Sequence, residues 1–167
     1  MPVRVIFTAQ ALALTRQLRV TFGGLIFHLS GGCCEGSAPM CFRAGDFRVG
    51  VRDVLLGIIE GCPFYVGQAQ FGYWAYCELT VDVTAAGGDS FSLEAAEGVR
   101  FIVRSRLFTD KEAVVLDAAG PPPTGPTSLP ADPTTPGDAM GLPVGEGDQC
   151  GPLRGKDTAH GLEPSAT

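Results

Sequence analysis

Cysteine is the residue type whose placement in this chain points to chemistry. Of six cysteines, Cys33, Cys34 and Cys41 fall within one stretch, Ser30-Gly31-Gly32-Cys33-Cys34-Glu35-Gly36-Ser37-Ala38-Pro39-Met40-Cys41. Glycine lets the backbone take positive φ angles and leaves room around it. Thiols on such a segment can converge on a soft metal ion or face outward as nucleophiles. Cys33 and Cys34 are adjacent, so their side chains tend to diverge. Cys62 sits in Gly61-Cys62-Pro63, a second site punctuated by glycine and proline. No Cys-x-x-Cys pair occurs, so a metal centre would gather ligands from separate loops. Against this stands the plain behaviour of cysteine as a small buried hydrophobe, the better description of Cys77 in its aromatic stretch. Cys150 lies in a tail and reads as a bystander.

Other polar groups near the cysteines extend the candidate set. His28 lies inside the apolar run Leu25 to Leu29, where a lone histidine is ordinarily a hydrogen-bonded core residue. Its place just before the cysteine loop also makes it a candidate fourth ligand, or a base that lowers a thiol pKa. Glu35 and Asp46 flank the loop and read as solvated carboxylates. Arg104-Ser105-Arg106 reads as a solvated strand edge. The sequence offers no Ser/His/Asp arrangement, no phosphate-binding loop and no dinucleotide fingerprint.

The elements that must carry these residues are short. Val3 to Phe7 reads as a strand, Thr8 as an N-cap, and Ala9 to Leu18 as a helix built from strong helix formers. Gly23-Gly24 turns the chain into a buried strand, Leu25 to Leu29. Phe47 to Val51 alternates like a half-buried strand. Val54 to Ile59 is another apolar run, and Cys62 to Val66 a strand starting beside Pro63. Gln68 to Tyr76 reads as a short helix and Leu79 to Val83 as a strand. Ala86-Gly87-Gly88-Asp89 is a turn. Phe91-Ser92-Leu93 and Val99 to Val103 follow as a hairpin pair. Many short strands with one or two helices predict an α+β domain dominated by strands.

Composition divides the chain in two. Ten of the 13 prolines lie between Pro121 and Pro164, and no aromatic residue occurs from Gly120 onward. Such a stretch buries too little apolar surface to offset the entropy of ordering it. The expectation is a folded domain over residues 1–117 and a disordered, acidic Pro/Gly-rich tail over residues 118–167. The net charge of −6 gives no electrostatic footprint for nucleic acid and no polybasic patch for membrane. No apolar run approaches the length needed to span a bilayer. The N-terminal apolar stretch is interrupted by Thr8 and Gln10 and followed by Arg16 and Arg19, unlike a signal peptide. A cytoplasmic protein is expected, with cysteines as thiols or metal ligands rather than a disulfide framework.

The stretch Phe27 to Cys41 resembles the signature of the bacterial family called domain of unknown function 779. Gly61-Cys62-Pro63-Phe64-Tyr65, Phe91-Ser92-Leu93-Glu94, Gly98-Val99-Arg100-Phe101 and Arg104-Ser105-Arg106-Leu107-Phe108 continue that resemblance, which covers Val3 to Phe108. Members of this family are often encoded beside aldehyde dehydrogenases, which implies an accessory role. The order of elements around the Gly-Gly-Cys loop also resembles the HesB-like iron–sulfur carriers. Those proteins draw two further cysteines from a C-terminal Cys-Gly-Cys, whereas this chain has no cysteine between Arg104 and Cys150.

Three functions compete. The first is a non-enzymatic accessory protein, supporting an aldehyde dehydrogenase, that binds a metal ion or iron–sulfur cluster through Cys33, Cys34, Cys41, Cys62 and His28. The second is a thiol-reactive protein handling aldehyde or redox stress, with Cys33 or Cys34 as nucleophile and a neighbouring thiol as resolving partner. The third is an interaction module that docks on a dehydrogenase through an apolar patch and binds no metal.

Overall fold

The computed structural model describes residues 2–86 and 90–127. The chain begins with strand β1 (Val5–Phe7) and helix α1 (Ala9–Phe22). Thr8 caps the helix: its hydroxyl oxygen accepts from the Ala11 N–H at 3.2 Å and its own hydrogen goes to Asp82 Oδ1 at 3.0 Å. Such a side-chain acceptor satisfies one of the orphan donors of a first helical turn. Gly23, at φ 78°, ends the helix. The buried stripe is Ala11, Thr15 and Leu18 rather than a leucine face. Thr15 is tolerated there because its hydroxyl donates to Ala11 O at 2.7 Å.

Strands β2 (Leu25–Leu29), β3 (Met40–Arg43), β4 (Val54–Ile59) and β5 (Cys62–Val66) form one sheet in the order β3-β2-β5-β4. Helix α2 (Gln68–Trp74) then leads to β6 (Cys77–Ala85). A short 3-10 helix (Leu93–Glu97) precedes β7 (Val99–Leu107), and helix α3 (Asp110–Ala119) follows it. The second sheet has the order β1-β6-β7. The domain is therefore α+β with strands dominant, as the run of short strands predicts, though it carries three α-helices where one or two are expected.

The hairpin between β4 and β5 pairs Ile59 with Cys62 across Glu60 and Gly61, whose φ angles are 52° and 78°. Two consecutive positive φ values give a tight hairpin whose twist matches the strands. Helix α1 holds this turn: Arg16 pairs with the Glu60 carboxylate at 2.8 Å, and Arg19 donates to the Glu60 carbonyl.

Inward-facing residues of both sheets make one core, with Phe27 at its centre. Its ring meets Phe7 edge-on at 5.0 Å, Phe101 edge-on at 5.1 Å and stacks on Phe64 at 6.1 Å. Val5, Leu79, Val81 and Val103 complete the contribution of the three-stranded sheet.

Several expectations need correction. Phe47 to Val51 is not a strand: the chain turns tightly between Ala44 and Phe47, and Val51 is exposed. Phe47 instead lays its ring on Phe42 at 4.5 Å and on His28 at 4.8 Å. Phe91-Ser92-Leu93 does not pair with β7, since Leu93 opens the 3-10 helix and β7 pairs along its length with β6. Cys41 belongs to strand β3 rather than to the loop. Of the expected turn at Ala86 to Asp89, residues 87–89 lie outside the described residues.

Past residue 118 the described chain continues to Thr127. Leu55 N–H donates to Pro123 O at 2.9 Å, Gly125 N–H to Asp53 O at 2.9 Å, and Thr127 N–H to the Tyr65 hydroxyl at 3.0 Å. This proline-rich segment thus runs along β4. The remainder of the expected tail lies outside the described residues.

Candidate functional site

The cysteine loop leaves the end of β2 and crosses to the far sheet. There it covers the outer edge of β7. Gly36 N–H donates to Val103 O at 2.9 Å, and Val103 N–H donates to Ser37 O at 2.8 Å. Glu35 extends the seam: Oε1 accepts from Ser105 N–H at 2.7 Å and from the Ser105 hydroxyl at 3.2 Å. Within the loop, the Ser37 hydroxyl donates to Cys34 O at 2.7 Å. Gly32, at φ 93°, lies so close that a Cβ there would fall 2.1 Å from Ser37 Oγ. Glycine at this position is set by both backbone angle and space.

This pinned loop presents Cys33 and Cys34 to solvent side by side. The other candidate cysteines are interior. Cys41 is fully buried on β3, and its N–H donates to Ser92 Oγ at 2.7 Å. Burial pushes its thiol well above the usual range, and the nearby Glu94 and Cys62 add to the shift. Cys62 opens β5, also buried, with Sγ 3.8 Å from Glu60 O. Cys77 is half-buried, and burial raises its thiol pKa as well.

Strand register explains which candidates meet. Cys41 lies opposite Phe27 across β3 and β2, and Phe27 lies opposite Phe64 on β5. Side chains alternate between faces along a strand. Cys41 and Cys62 therefore share the core-facing side of their sheet, on strands that flank β2. His28, one residue from Phe27, occupies the opposite face with Tyr65. The sheet itself stands between His28 and the two buried cysteines, while Cys33 and Cys34 lie out on the loop. Among the described residues no three His, Cys, Asp or Glu side chains are gathered so as to hold a metal ion.

His28 has partners of its own on that outer face. Nδ1 lies 2.7 Å from Ser30 Oγ, and Nε2 lies 3.2 Å from Asp53 Oδ2. The second contact is at ion-pair distance but not aligned as a hydrogen bond. Asp53 is held in place by Gly50 N–H, which donates to the same oxygen at 2.7 Å. Burial lowers the imidazole pKa below its ordinary value, with the Asp53 charge opposing. Sequence reasoning missed both partners. Asp53 lies far along the chain in a segment with no local signal, and Ser30 carries none beyond its place at the head of the cysteine stretch.

A buried polar group on the core side was also missed. Glu94 is almost fully enclosed; one carboxylate oxygen is shared with the Ser92 hydroxyl, and the other accepts from Phe101 N–H at 3.3 Å. Burial raises its pKa, with these hydrogen bonds opposing.

Comparison with curated proteins and with solved structures gives no match, so the resemblance to HesB-like carriers rests on element order and the Gly-Gly-Cys loop alone. No helix among the described residues is long and apolar enough to cross a membrane. A family model covers the cysteine loop, both sheets from β2 onward and the end of β7, matching residues 14–107, more than half of the chain. The chain belongs to the family described as domain of unknown function (DUF779).

Proposed function

We propose that this is a thiol-reactive protein in which Cys33 or Cys34 attacks an electrophile and, where the adduct is a mixed disulfide, the neighbouring thiol resolves it. The observation that carries the reading is the contrast among thiols: an adjacent pair exposed on a pinned loop, against Cys41 and Cys62 in the core. Reactive cysteines need exposure, whereas buried ones are inert. Toward an aldehyde, the thiolate adds to the carbonyl carbon and the oxygen takes a proton from water, giving a reversible hemithioacetal. Toward a disulfide, one thiolate displaces one sulfur to form a mixed disulfide. The second thiolate then releases the other sulfur, so the substrate leaves as two thiols and the cysteine pair is oxidised. Both routes suit a cytoplasmic protein that works beside an aldehyde dehydrogenase.

A metal or iron–sulfur centre finds less support. The loop thiols, the buried thiols and His28 occupy three different places, and one ion would require them all within about 2.3 Å of itself. Timed alkylation of the native protein, read by mass spectrometry, tests the thiol reading. Cys33 and Cys34 are expected to modify at least about 10-fold faster than Cys41 and Cys62, in line with their exposure. Prior incubation with a short-chain aldehyde or a small symmetric disulfide should protect the pair. Slow alkylation at Cys33 and Cys34, or no protection by either compound, overturns the proposal.

A further inference from the structure

We infer that Ser30, His28 and Asp53 form a second reactive centre, in which Ser30 is an acyl-accepting nucleophile toward small carboxylic esters. The three side chains are neighbours: Ser30 Oγ is 2.7 Å from His28 Nδ1, and Asp53 Oδ2 lies at ion-pair distance from His28 Nε2, 3.2 Å, without hydrogen-bond alignment. A hydroxyl hydrogen-bonded to an imidazole, with a carboxylate at ion-pair distance from the other ring nitrogen, places a base and an orienting charge beside a nucleophile. It uses the ring nitrogens in the reverse sense to the usual serine hydrolase, and the chemistry requires only that the acceptor nitrogen face the hydroxyl.

Three features of the fold favour this use. His28 is buried and flanked by the Phe47 ring at 4.8 Å, which limits its orientation. The Asp53 carboxylate beside Nε2 favours the tautomer with hydrogen on that nitrogen, which leaves Nδ1 free to accept the Ser30 proton. Ser30 itself is exposed at the end of β2, where an ester can reach it. The exposed glycines Gly31 and Gly32 follow directly, and nothing lies within 4 Å of where a Cβ on Gly31 would stand.

The steps balance with water as the only co-reactant. His28 Nδ1 takes the hydroxyl proton as Ser30 Oγ bonds to the ester carbonyl carbon. The bond from that carbon to the leaving oxygen breaks, and the alcohol departs with the proton from Nδ1. Water then adds to the acyl-serine carbon, giving its proton to Nδ1. The Ser30 ester bond breaks, and Oγ recovers the proton as the carboxylic acid leaves.

The test uses the full chain carrying Cys33→Ser and Cys34→Ser, so that thiols of the loop cannot react and failure of the thiol reading is judged separately. A fluorophosphonate should attach to Ser30, located by mass spectrometry, and 4-nitrophenyl acetate should show a burst of nitrophenolate. Ser30→Ala, at an exposed position, should abolish both. His28→Asn should slow labelling by about 100-fold or more, the usual scale for loss of a general base. Asp53 acts through His28 and is a positioning residue. Asp53→Ala should lose the Nε2–H tautomer bias in the His28 ring nitrogen spectrum and slow labelling. The inference is overturned if no adduct forms at Ser30, if Ser30→Ala retains the burst, or if a folded His28→Asn protein labels at the parent rate.

Discussion

Two neighbouring glycines separate conformational need from mere loop composition. Gly32 has φ 93° and a neighbour, Ser37 Oγ, where its Cβ would go, whereas Gly31 has nothing within 4 Å. Gly32→Ala must therefore displace the Ser37 side chain and break its hydrogen bond to Cys34 O. Forcing a side chain into that backbone region costs about 1–3 kcal/mol. Much of the cost falls on the loop, which can detach from β7 without opening the core. The expected result is altered alkylation rates at Cys33 and Cys34 with a thermal midpoint lowered by a few degrees, while Gly31→Ala changes neither. Equal behaviour of the two variants would show that the pinned geometry is not what sets thiol exposure. The thiol pair itself was legible in the sequence, because cysteine and glycine announce themselves by type. The partners of His28 were not, because nothing near Asp53 marks it as a residue that folds back onto β2.

At the scale of elements, the loop solves a problem that β7 creates. An edge strand with unpaired N–H and C=O groups invites pairing with other chains. Here the segment from Glu35 to Ser37 occupies that edge through Val103 and Ser105, so the motif that carries the thiols also closes the sheet. Glu35→Ala removes the acceptor of Ser105 N–H. Loss of a hydrogen bond to a charged group costs about 1.5–3 kcal/mol, and less at an exposed site such as this one. Hydrogen exchange at the Ser105 amide should accelerate by roughly 10-fold or less, with β6 amides unchanged. Unchanged exchange at Ser105 would mean that the carboxylate contributes nothing to the seam. Glu35 reads from sequence as a solvated flank, since nothing local reveals that the loop crosses to another sheet. Strands whose apolar runs face the core on both neighbours, such as β2 and β5, were legible. Phe47 to Val51 was not, because Phe47 closes a turn and packs on Phe42 and His28 rather than joining a ladder. The 3-10 helix was hidden likewise: Ser92 and Glu94 are buried by their bonds to Cys41 N–H and Phe101 N–H, which no periodicity signals.

For the whole molecule, two buried groups on opposite faces of the four-stranded sheet, His28 and Glu94, set opposing pH dependences. His28 has a pKa lowered by burial from 6.5, so the unfolded chain binds its proton first as pH falls. Its contribution to stability is present above pH 6.5 and is lost as pH falls from there toward the folded pKa. Glu94 has a pKa raised by burial from 4.5, so the folded chain holds its proton longer as pH rises. Stability from that group is full below pH 4.5 and is lost as pH rises toward the folded pKa. As pH falls from 7 toward 4.5 the two effects oppose each other. Glu94→Gln removes one side of the balance, because an amide does not titrate. The variant should then lose stability more steeply than wild type from pH 7 to 5, with its stability relative to wild type highest at pH 7. Glu112 lies outside this window: its bonds to Arg106, then those from Thr109, hold its carboxyl down to about 2, so its effect appears only below pH 4.5. Urea unfolding of both proteins at half-unit pH intervals decides the matter. A constant offset between the two curves would mean that Glu94 stays ionised in the core, and that the Ser92 hydroxyl and Phe101 N–H suffice to hold its charge there.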